Sequence, residues 1–153
     1  MLYKVNQVSK PHLPLTAYET GAFKAFVHDV GLLGAKVELD AAVLLEESGI
    51  FTEFKGALTE QFVLQELIAK GVTPFYWSST GKAEVDFLFV HNSKVYPLEV
   101  KAEENLQSKS LKVYNEKFSP SIALRTSMRD YRKEDWLINV PLYAISTDFV
   151  GDE

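Results

Sequence analysis

The chain has 153 residues, the length of a single globular domain, and a net charge of −5. A composition of 46% apolar, 24% charged and 12% aromatic residues excludes a disordered, collagen-like or fibrous protein. The lack of cysteine excludes disulfides, thiolate metal sites and cysteine nucleophiles, and it fits a cytoplasmic location. The longest apolar run is five residues, so we expect no membrane span, and the polar N-terminal residues do not form a secretion signal.

Charge is distributed unevenly along the chain. Residues 101–133 contain eight Lys and Arg against four Asp and Glu, a net charge of +4, so the remainder of the chain carries −9. A basic segment after an acidic one either steers a phosphate backbone towards a cation-binding cluster or forms a solvated helix face. Charge alone leaves both interpretations open.

The first half of the chain has the apolar spacing of helices. Pro11 and Pro14 indicate that residues 1–15 are an extended linker remnant, so that residues 16–153 form the single domain and the folded part begins near Leu15. Apolar residues three and four apart predict three helices, over Ala22–Leu33, Glu38–Glu47 and Ala57–Lys70.

Aromatic and β-branched residues dominate after Thr73 and predict strands. The first three extended runs are Pro74–Ser78, Ala83–His91 and Lys94–Lys101. The following elements are a helix over Ser108–Phe118, a strand over Ile122–Thr126, and a last strand over Leu137–Ile145 that Pro141 interrupts. The core order α-β-β-β-α-β predicts an α/β (α+β) fold, a mixed sheet flanked by helices.

The second and third predicted strands form a hairpin with a two-residue turn. That turn pairs residues whose numbers sum to 185, which places Asp86 opposite Glu99 and Glu84 opposite Lys101. Because side chains alternate along a strand, these four are predicted to share one face. The opposite face then holds Val85, Phe87, Leu98 and Val100. Pro97 lacks an amide donor and predicts a bulge or an unpaired residue.

Carboxylates placed opposite each other require an offsetting charge. Two of them about 5 Å apart repel by roughly 3 kcal/mol at an effective dielectric constant of 20. A raised pKa on one acid, the Lys101 ammonium or a divalent cation would each relieve the repulsion, and a cation accounts best for the arrangement. The alternative is an exposed sheet face with a Glu84–Lys101 pair and acids screened by solvent.

Glu60 interrupts the aliphatic face of the predicted helix over Ala57–Lys70. An isolated buried charge is costly, so Glu60 should have a cation, a hydrogen-bonding partner or a retained proton. Packing of this helix on the hairpin would bring Glu60 towards Asp86 and Glu99. The alternative is a glutamate that reaches solvent at the start of the helix.

The residues Glu60, Asp86 and Glu99-Val100-Lys101 together resemble the signature of the PD-(D/E)XK phosphodiesterase superfamily, the restriction-endonuclease-like fold. Longer strings resemble the C-terminal domain called domain of unknown function 4143. Among them are Gly56-Ala57-Leu58-Thr59-Glu60-Gln61-Phe62-Val63 and Glu84-Val85-Asp86-Phe87. The resemblance implies a partner in the same longer chain, an N-terminal AAA-type ATPase. This sequence has no phosphate-binding loop of its own, so we expect it to be a domain fragment without ATP hydrolysis.

The same resemblance implies a set of site residues. Asp86 and Glu99 would hold Mg²⁺ or Mn²⁺ with the main-chain carbonyl of Val100, and Glu60 would be an outer or second-metal ligand. Lys101 would orient the attacking water, and no organic cofactor is implied.

Nucleic acid is the implied partner of the next helix. Its first residues Lys109, Ser110 and Lys112 would contact a backbone phosphate, unless they serve only for capping and solvation. The implied function is a metal-dependent nuclease. The alternatives are a non-catalytic nuclease-fold module that binds nucleic acid or a partner and regulates the ATPase, and a purely structural interaction domain.

Overall fold

The computed structural model describes residues 2–36, 49–80, 83–102 and 107–147. The α-helices in these ranges are α1 (Val30–Lys36), α2 (Gly49–Ala69) and α3 (Lys109–Phe118). The strands are β1 (Leu2–Val8), β2 (Glu19–Val27), β3 (Phe75–Ser78), β4 (Glu84–His91), β5 (Lys94–Val100), β6 (Ala123–Ser127), β7 (Arg132–Lys133) and β8 (Leu137–Pro141). Short 3₁₀ helices cover Leu15–Tyr18 and Leu142–Ala144.

All eight of these strands belong to one sheet, in the order β2-β1-β3-β4-β5-β6-β8-β7. β3 pairs in parallel with β1, and β6 pairs in parallel with both β5 and β8. The other neighbours are antiparallel. Parallel neighbours need a crossover connection, and α3 supplies it between β5 and β6. The predicted α+β fold with a mixed sheet and flanking helices is confirmed.

Each side of the sheet packs against a different long helix. Val63 and Leu64 of α2 pack with Leu98 of β5 in one buried cluster. Leu111 and Tyr114 of α3 belong to a second buried cluster. We call the two sides the α2 face and the α3 face. None of the helices in the described ranges has the length and hydropathy of a membrane span.

The N-terminal half departs most from the sequence prediction. β1 pairs with both β2 and β3, so the folded part does not begin near Leu15. The first half of the predicted helix Ala22–Leu33 lies in the strand β2, and α1 starts only at Val30. Pairing with β1 decides the conformation there, since Phe, Thr and Val fit a pleated surface as well as a helix. The predicted helix Glu38–Glu47 lies outside the described residues.

From α2 onwards the predicted element types are confirmed. α2 extends to Gly49, before the predicted start at Ala57, and α3 matches the predicted helix closely. β3, β4, β5 and β6 match the predicted strands within two residues. The last predicted strand is shorter than expected, because β8 ends at Pro141 and a 3₁₀ turn follows.

The β4–β5 hairpin has the register that its two-residue turn predicts, over the five pairs from His91–Lys94 to Phe87–Leu98. Pro97 remains in this ladder, so the bulge predicted there is wrong. In an antiparallel pair every second residue pair makes no mutual hydrogen bonds, and counting from the turn puts Pro97 in such a pair. Its missing N–H therefore costs no bond to β4.

A bulge is present instead on the other edge of β4. Between Val85 and Leu88 the pairing with β3 shifts by one residue, which interrupts the alternation of side chains at Asp86. Val85 consequently packs in the cluster on the α3 face and Phe87 in the cluster on the α2 face. The prediction that Val85 and Phe87 share a face is wrong because of this extra residue.

Candidate functional site

Three carboxylates from two elements surround one lysine on the α2 face. Nζ of Lys24 lies 2.9 Å from Oε1 of Glu60, 2.6 Å from Oε1 of Glu84 and 4.0 Å from Oδ1 of Asp86. We call these four residues the Lys24 cluster. Burial by itself lowers the pKa of Lys24, but the three negative charges outweigh it, so the pKa lies above its ordinary value.

Asp86 lies at the point where β4 and β5 separate. Its Oδ2 accepts a hydrogen bond of 2.8 Å from the main-chain N–H of Val100. Burial raises the pKa of Asp86 to about 7 and the charge of Glu60 adds to this, while the Val100 bond and Lys24 oppose it. A carboxyl group that titrates near neutrality is a common feature of functional sites.

Glu99 lies on the α3 face and is nearly inaccessible. It pairs in register with Arg125 of β6, and its side chain is 4% exposed. Oε1 of Glu99 is 3.2 Å from Nζ of Lys101, whereas Oε2 has no hydrogen-bond partner among the described residues. A buried carboxylate oxygen without a partner is costly, so a cation or a further donor at Oε2 would be stabilising.

The four charged residues predicted to share one face are divided between two faces. Glu84 contacts Lys24 on the α2 face, while Glu99 and Lys101 lie on the α3 face, opposite to Leu98. The alternative Glu84–Lys101 pair is not formed, because each of these residues pairs with another side chain. The bulge in β4 causes the division by turning the start of that strand relative to β5.

The prediction that Glu60 needs a partner is confirmed. Lys24 supplies the partner, with a hydrogen bond of 2.9 Å, and the Glu60 side chain is only 24% exposed. The charge of Glu60 acts on Asp86, as expected if α2 packs over the hairpin. The structure therefore brings Glu60 and Asp86 together through Lys24, while the Glu99 side chain lies on the other face of the sheet and acts on Asp86 only through its charge.

A cavity of about 890 Å³ opens on the α3 face, between the start of α3 and the strands β6 and β8. Five basic and two acidic side chains line it. Lys109 and Lys112 are among the lining residues, since residues three apart share a helix face, and Ser110 is not. Two of the three residues predicted to contact phosphate thus lie together at one cavity.

Arg125 lines this cavity from the sheet side and is 5% exposed. Its Nε donates to Oδ1 of Asn139 at 3.0 Å, and its Nη1 donates to Oγ of Ser108 at 3.1 Å. Burial lowers the pKa of Arg125, and the charge of Glu99 opposes that effect. Arg125 thereby links the buried Glu99 to the cavity.

Asn139 holds the neighbouring loop in place. Its Oδ1 also accepts a hydrogen bond of 2.8 Å from Oγ of Ser127, and its Nδ2 donates to the carbonyls of Arg129 and Asp130. All four hydrogen bonds of this amide are made although the residue is 2% exposed. We call Arg125, Asn139, Ser108 and Ser127 the Arg125 network.

Sequence reasoning missed three residues of this region: Lys24, Arg125 and Asn139. The sequence does not identify Lys24, because a helix is predicted there. Had the segment been predicted as a strand, side-chain alternation in β2 would have placed Lys24 beside Val5 on the α2 face. Asn139 is a polar residue inside the otherwise apolar strand β8, the same signal that identified Glu60 in its helix. Arg125 has a weaker signal, because two hydroxyl residues follow it in β6.

Within residues 2–36, 49–80, 83–102 and 107–147, no group of three or more His, Cys, Asp or Glu side chains is arranged to hold a metal ion. In the Lys24 cluster the ammonium group takes the position between the carboxylates. Asp86 lies between the separating strands, where the charge of Glu99 still acts on it. A cation shared by the two would rest on two carboxylates, a number that suffices for Mg²⁺ because it keeps several of its waters. The unpartnered oxygen of Glu99 fits that requirement.

A family model described as Domain of unknown function (DUF4143) matches residues 55–145, more than half of the chain. The chain therefore belongs to this family. No curated protein and no solved structure gives a significant match. The matched region includes most of α2, the β4–β5 hairpin and the cavity on the α3 face, but not Lys24.

Proposed function

We propose that this domain is a metal-dependent phosphodiesterase of the PD-(D/E)XK type that acts on nucleic acid. One observation carries the proposal: Glu99 has a buried oxygen without a partner next to Lys101, at the point where Asp86 lies between the separating strands. The hairpin β4–β5, followed by a helix and a parallel strand, agrees with the order that the superfamily resemblance implies.

Each residue around this point has a separate role in the proposed reaction. Asp86, Glu99 and the carbonyl of Val100 would hold Mg²⁺ or Mn²⁺, which stabilises charge on the phosphate when bound. Lys101 remains 31% exposed and so can reach an attacking water and offset the charge that develops on the phosphate. Glu60 acts on Asp86 from the α2 side through its charge.

The test is cleavage of labelled plasmid, single-stranded DNA and RNA in Mg²⁺, in Mn²⁺ and in EDTA. We expect cleavage only with a divalent cation, and a loss on the order of 10²-fold in Lys101→Met and in Glu99→Gln. Lys94→Met is the matched control, since it changes an exposed lysine at the other end of the same strand. Cleavage that is equal in Lys101→Met and Lys94→Met would come from a contaminant and would overturn the proposal.

The Lys24 cluster favours a second candidate, a nuclease-fold module that binds nucleic acid or a partner without turnover and regulates an ATPase domain. Here the Lys24 ammonium replaces a metal ion as the counter-charge of Glu60, Glu84 and Asp86. Calorimetric titration with Mn²⁺ distinguishes the two. The second candidate predicts no binding by the natural sequence and measurable binding by Lys24→Met, whereas the first predicts binding by both.

A further inference from the structure

We infer that the cavity on the α3 face binds a single-stranded nucleic acid, with a phosphate against its lysines and an unstacked base against Tyr131. The inference rests on the proposed function in so far as it takes nucleic acid as the ligand. It adds that this nucleic acid is single-stranded. It also assigns a binding subsite to residues other than Glu60, Asp86 and Glu99.

The charge of the cavity favours an anion. Its lining residues have a net charge of +3, from five basic and two acidic side chains, in a domain whose overall charge is −5. Lys109 and Lys112 have no ion-pair partner among the described residues, so their ammonium groups are available to a phosphate. Counter-ion release from such contacts is the main source of affinity for a nucleic-acid backbone.

The buried side of the cavity is fixed before any ligand binds. Arg125 is held by its bonds to Asn139 and Ser108, so its guanidinium contributes positive charge without a further loss of side-chain freedom. The Ser108 side chain makes no capping bond to α3, because its hydroxyl accepts from Arg125 instead. The start of α3 therefore presents its positive dipole end to the same cavity.

The aromatic residues at the cavity favour a single strand over a duplex. Tyr131 and Trp136 both line it, and Tyr131 is 61% exposed. Stacking on an aromatic ring requires a base whose face is free, which a single strand offers and a duplex does not. A volume of about 890 Å³ falls in the range of sites that enclose a small ligand, so it suits a nucleotide unit of a flexible strand.

The position of the cavity connects it with the proposed reaction centre. Arg125 lies beside Glu99 in the parallel β5–β6 register, and both occupy the α3 face. A strand with one phosphate at Lys109 and Lys112 would therefore run along the face that carries Glu99 and Lys101.

The experiment measures fluorescence anisotropy of a labelled short oligothymidylate with the whole chain in EDTA. Competitors are the unlabelled strand, the matching oligouridylate, a duplex of the same length and free dTMP. We expect either single strand to compete at least about tenfold better than the duplex. A duplex or free dTMP that competes as well as the strands would overturn the inference.

Variants locate the binding to this cavity. We expect Tyr131→Ala to weaken binding about tenfold, Tyr131→Phe to restore it, and Tyr143→Ala, a more exposed tyrosine elsewhere, to leave it unchanged. Lys109→Gln combined with Lys112→Gln should reduce the slope of log affinity against log salt by about 0.7, because the two lysines share one phosphate and each neutralised phosphate of a single strand contributes about 0.7. Equal effects of Tyr131→Ala and Tyr143→Ala would contradict the inference.

The two proposals fail separately in these measurements. Binding is measured without a divalent cation. Single-strand binding without any cleavage would therefore support the inference and overturn the proposed phosphodiesterase activity. Metal-dependent cleavage without preferential binding of single strands would support the phosphodiesterase activity and overturn the inference.

Discussion

The Lys24 cluster and the Arg125 network lie on opposite faces of the same sheet and have opposite charge. The Lys24 cluster has three carboxylates around one ammonium group, while the cavity next to the Arg125 network has five basic and two acidic side chains. The backbone of β4 and β5 lies between the acidic Lys24 cluster and the face that carries the basic cavity. The comparison shows how a domain of net charge −5 can present a local field that suits a phosphate.

The two regions also differ in how their polar groups are satisfied. The Arg125 network is held mainly by neutral hydrogen bonds of a buried amide, whereas the Lys24 cluster is held by ion pairs of half-buried side chains. Loss of a buried hydrogen-bonding group leaves several partners unsatisfied, while partly exposed charges are screened by water. Substitutions in the Arg125 network should therefore cost more stability.

The largest effect is expected for Asn139→Ala. The substitution leaves the Arg125 and Ser127 donors and two main-chain carbonyls without their partner, and we expect it to cost about 3 kcal/mol of unfolding free energy. Urea denaturation measures this, with Asn6→Ala as the control. Asn6 donates to Glu19 in an exposed position, so that variant should lose less than about 0.5 kcal/mol. Equal losses of unfolding free energy in Asn139→Ala and Asn6→Ala would show that the Arg125 network contributes no more to stability than an exposed hydrogen bond.

A smaller loss, about 2 kcal/mol, is expected for Lys24→Met. Removing the ammonium leaves Glu60, Glu84 and Asp86 facing one another, but the side chains are 21–43% exposed and water screens part of the repulsion. The control is Lys4→Met on the adjacent strand, where the ammonium lies over the ring of Phe23 and has no ion-pair partner in the part of the chain that the structure describes. A Lys24→Met variant as stable as Lys4→Met would show that the cluster is not held by this charge.

The smallest effect, and one of opposite sign, is expected for Asp86→Asn in EDTA. The pKa of Asp86 rises from 3.8 to about 7 on folding, so the folded state retains a proton that the unfolded state loses. The contribution of Asp86 to the free energy of unfolding therefore falls between pH 4 and pH 7 and is constant above. The variant lacks this fall and should be about 1 kcal/mol more stable at pH 8, since partial exposure reduces the full linkage value.

The internal control for Asp86→Asn is the comparison at low pH, where the aspartate is neutral in both states and the two proteins should unfold alike. Chemical denaturation over this pH range measures the difference. A difference in stability that does not change with pH, or a variant less stable than the natural sequence at pH 8, would contradict the assignment of a raised pKa.

Much of the fold from α2 onwards follows from local signals. The hairpin register was predictable from the two-residue turn, and α3 from its apolar spacing and flanking turn residues. The requirement of Glu60 for a partner was predictable from a charge on an apolar helix face. The partner itself was not predictable, because Lys24 reaches Glu60 only after β2 pairs with β1 at the far edge of the sheet.

The sequence by itself determined the residue types of the site, their order along the chain and the pairing within one hairpin, because these depend on neighbours a few residues apart. Only the tertiary structure decided on which face each carboxylate lies, because one extra residue in β4, defined by its pairing with β3, interrupts the alternation at Asp86. The same holds for the basic cavity, since Arg125 and Asn139 meet through the parallel pairing of β6 with β8. Long-range strand pairing thus divided one predicted cluster into two regions of opposite charge.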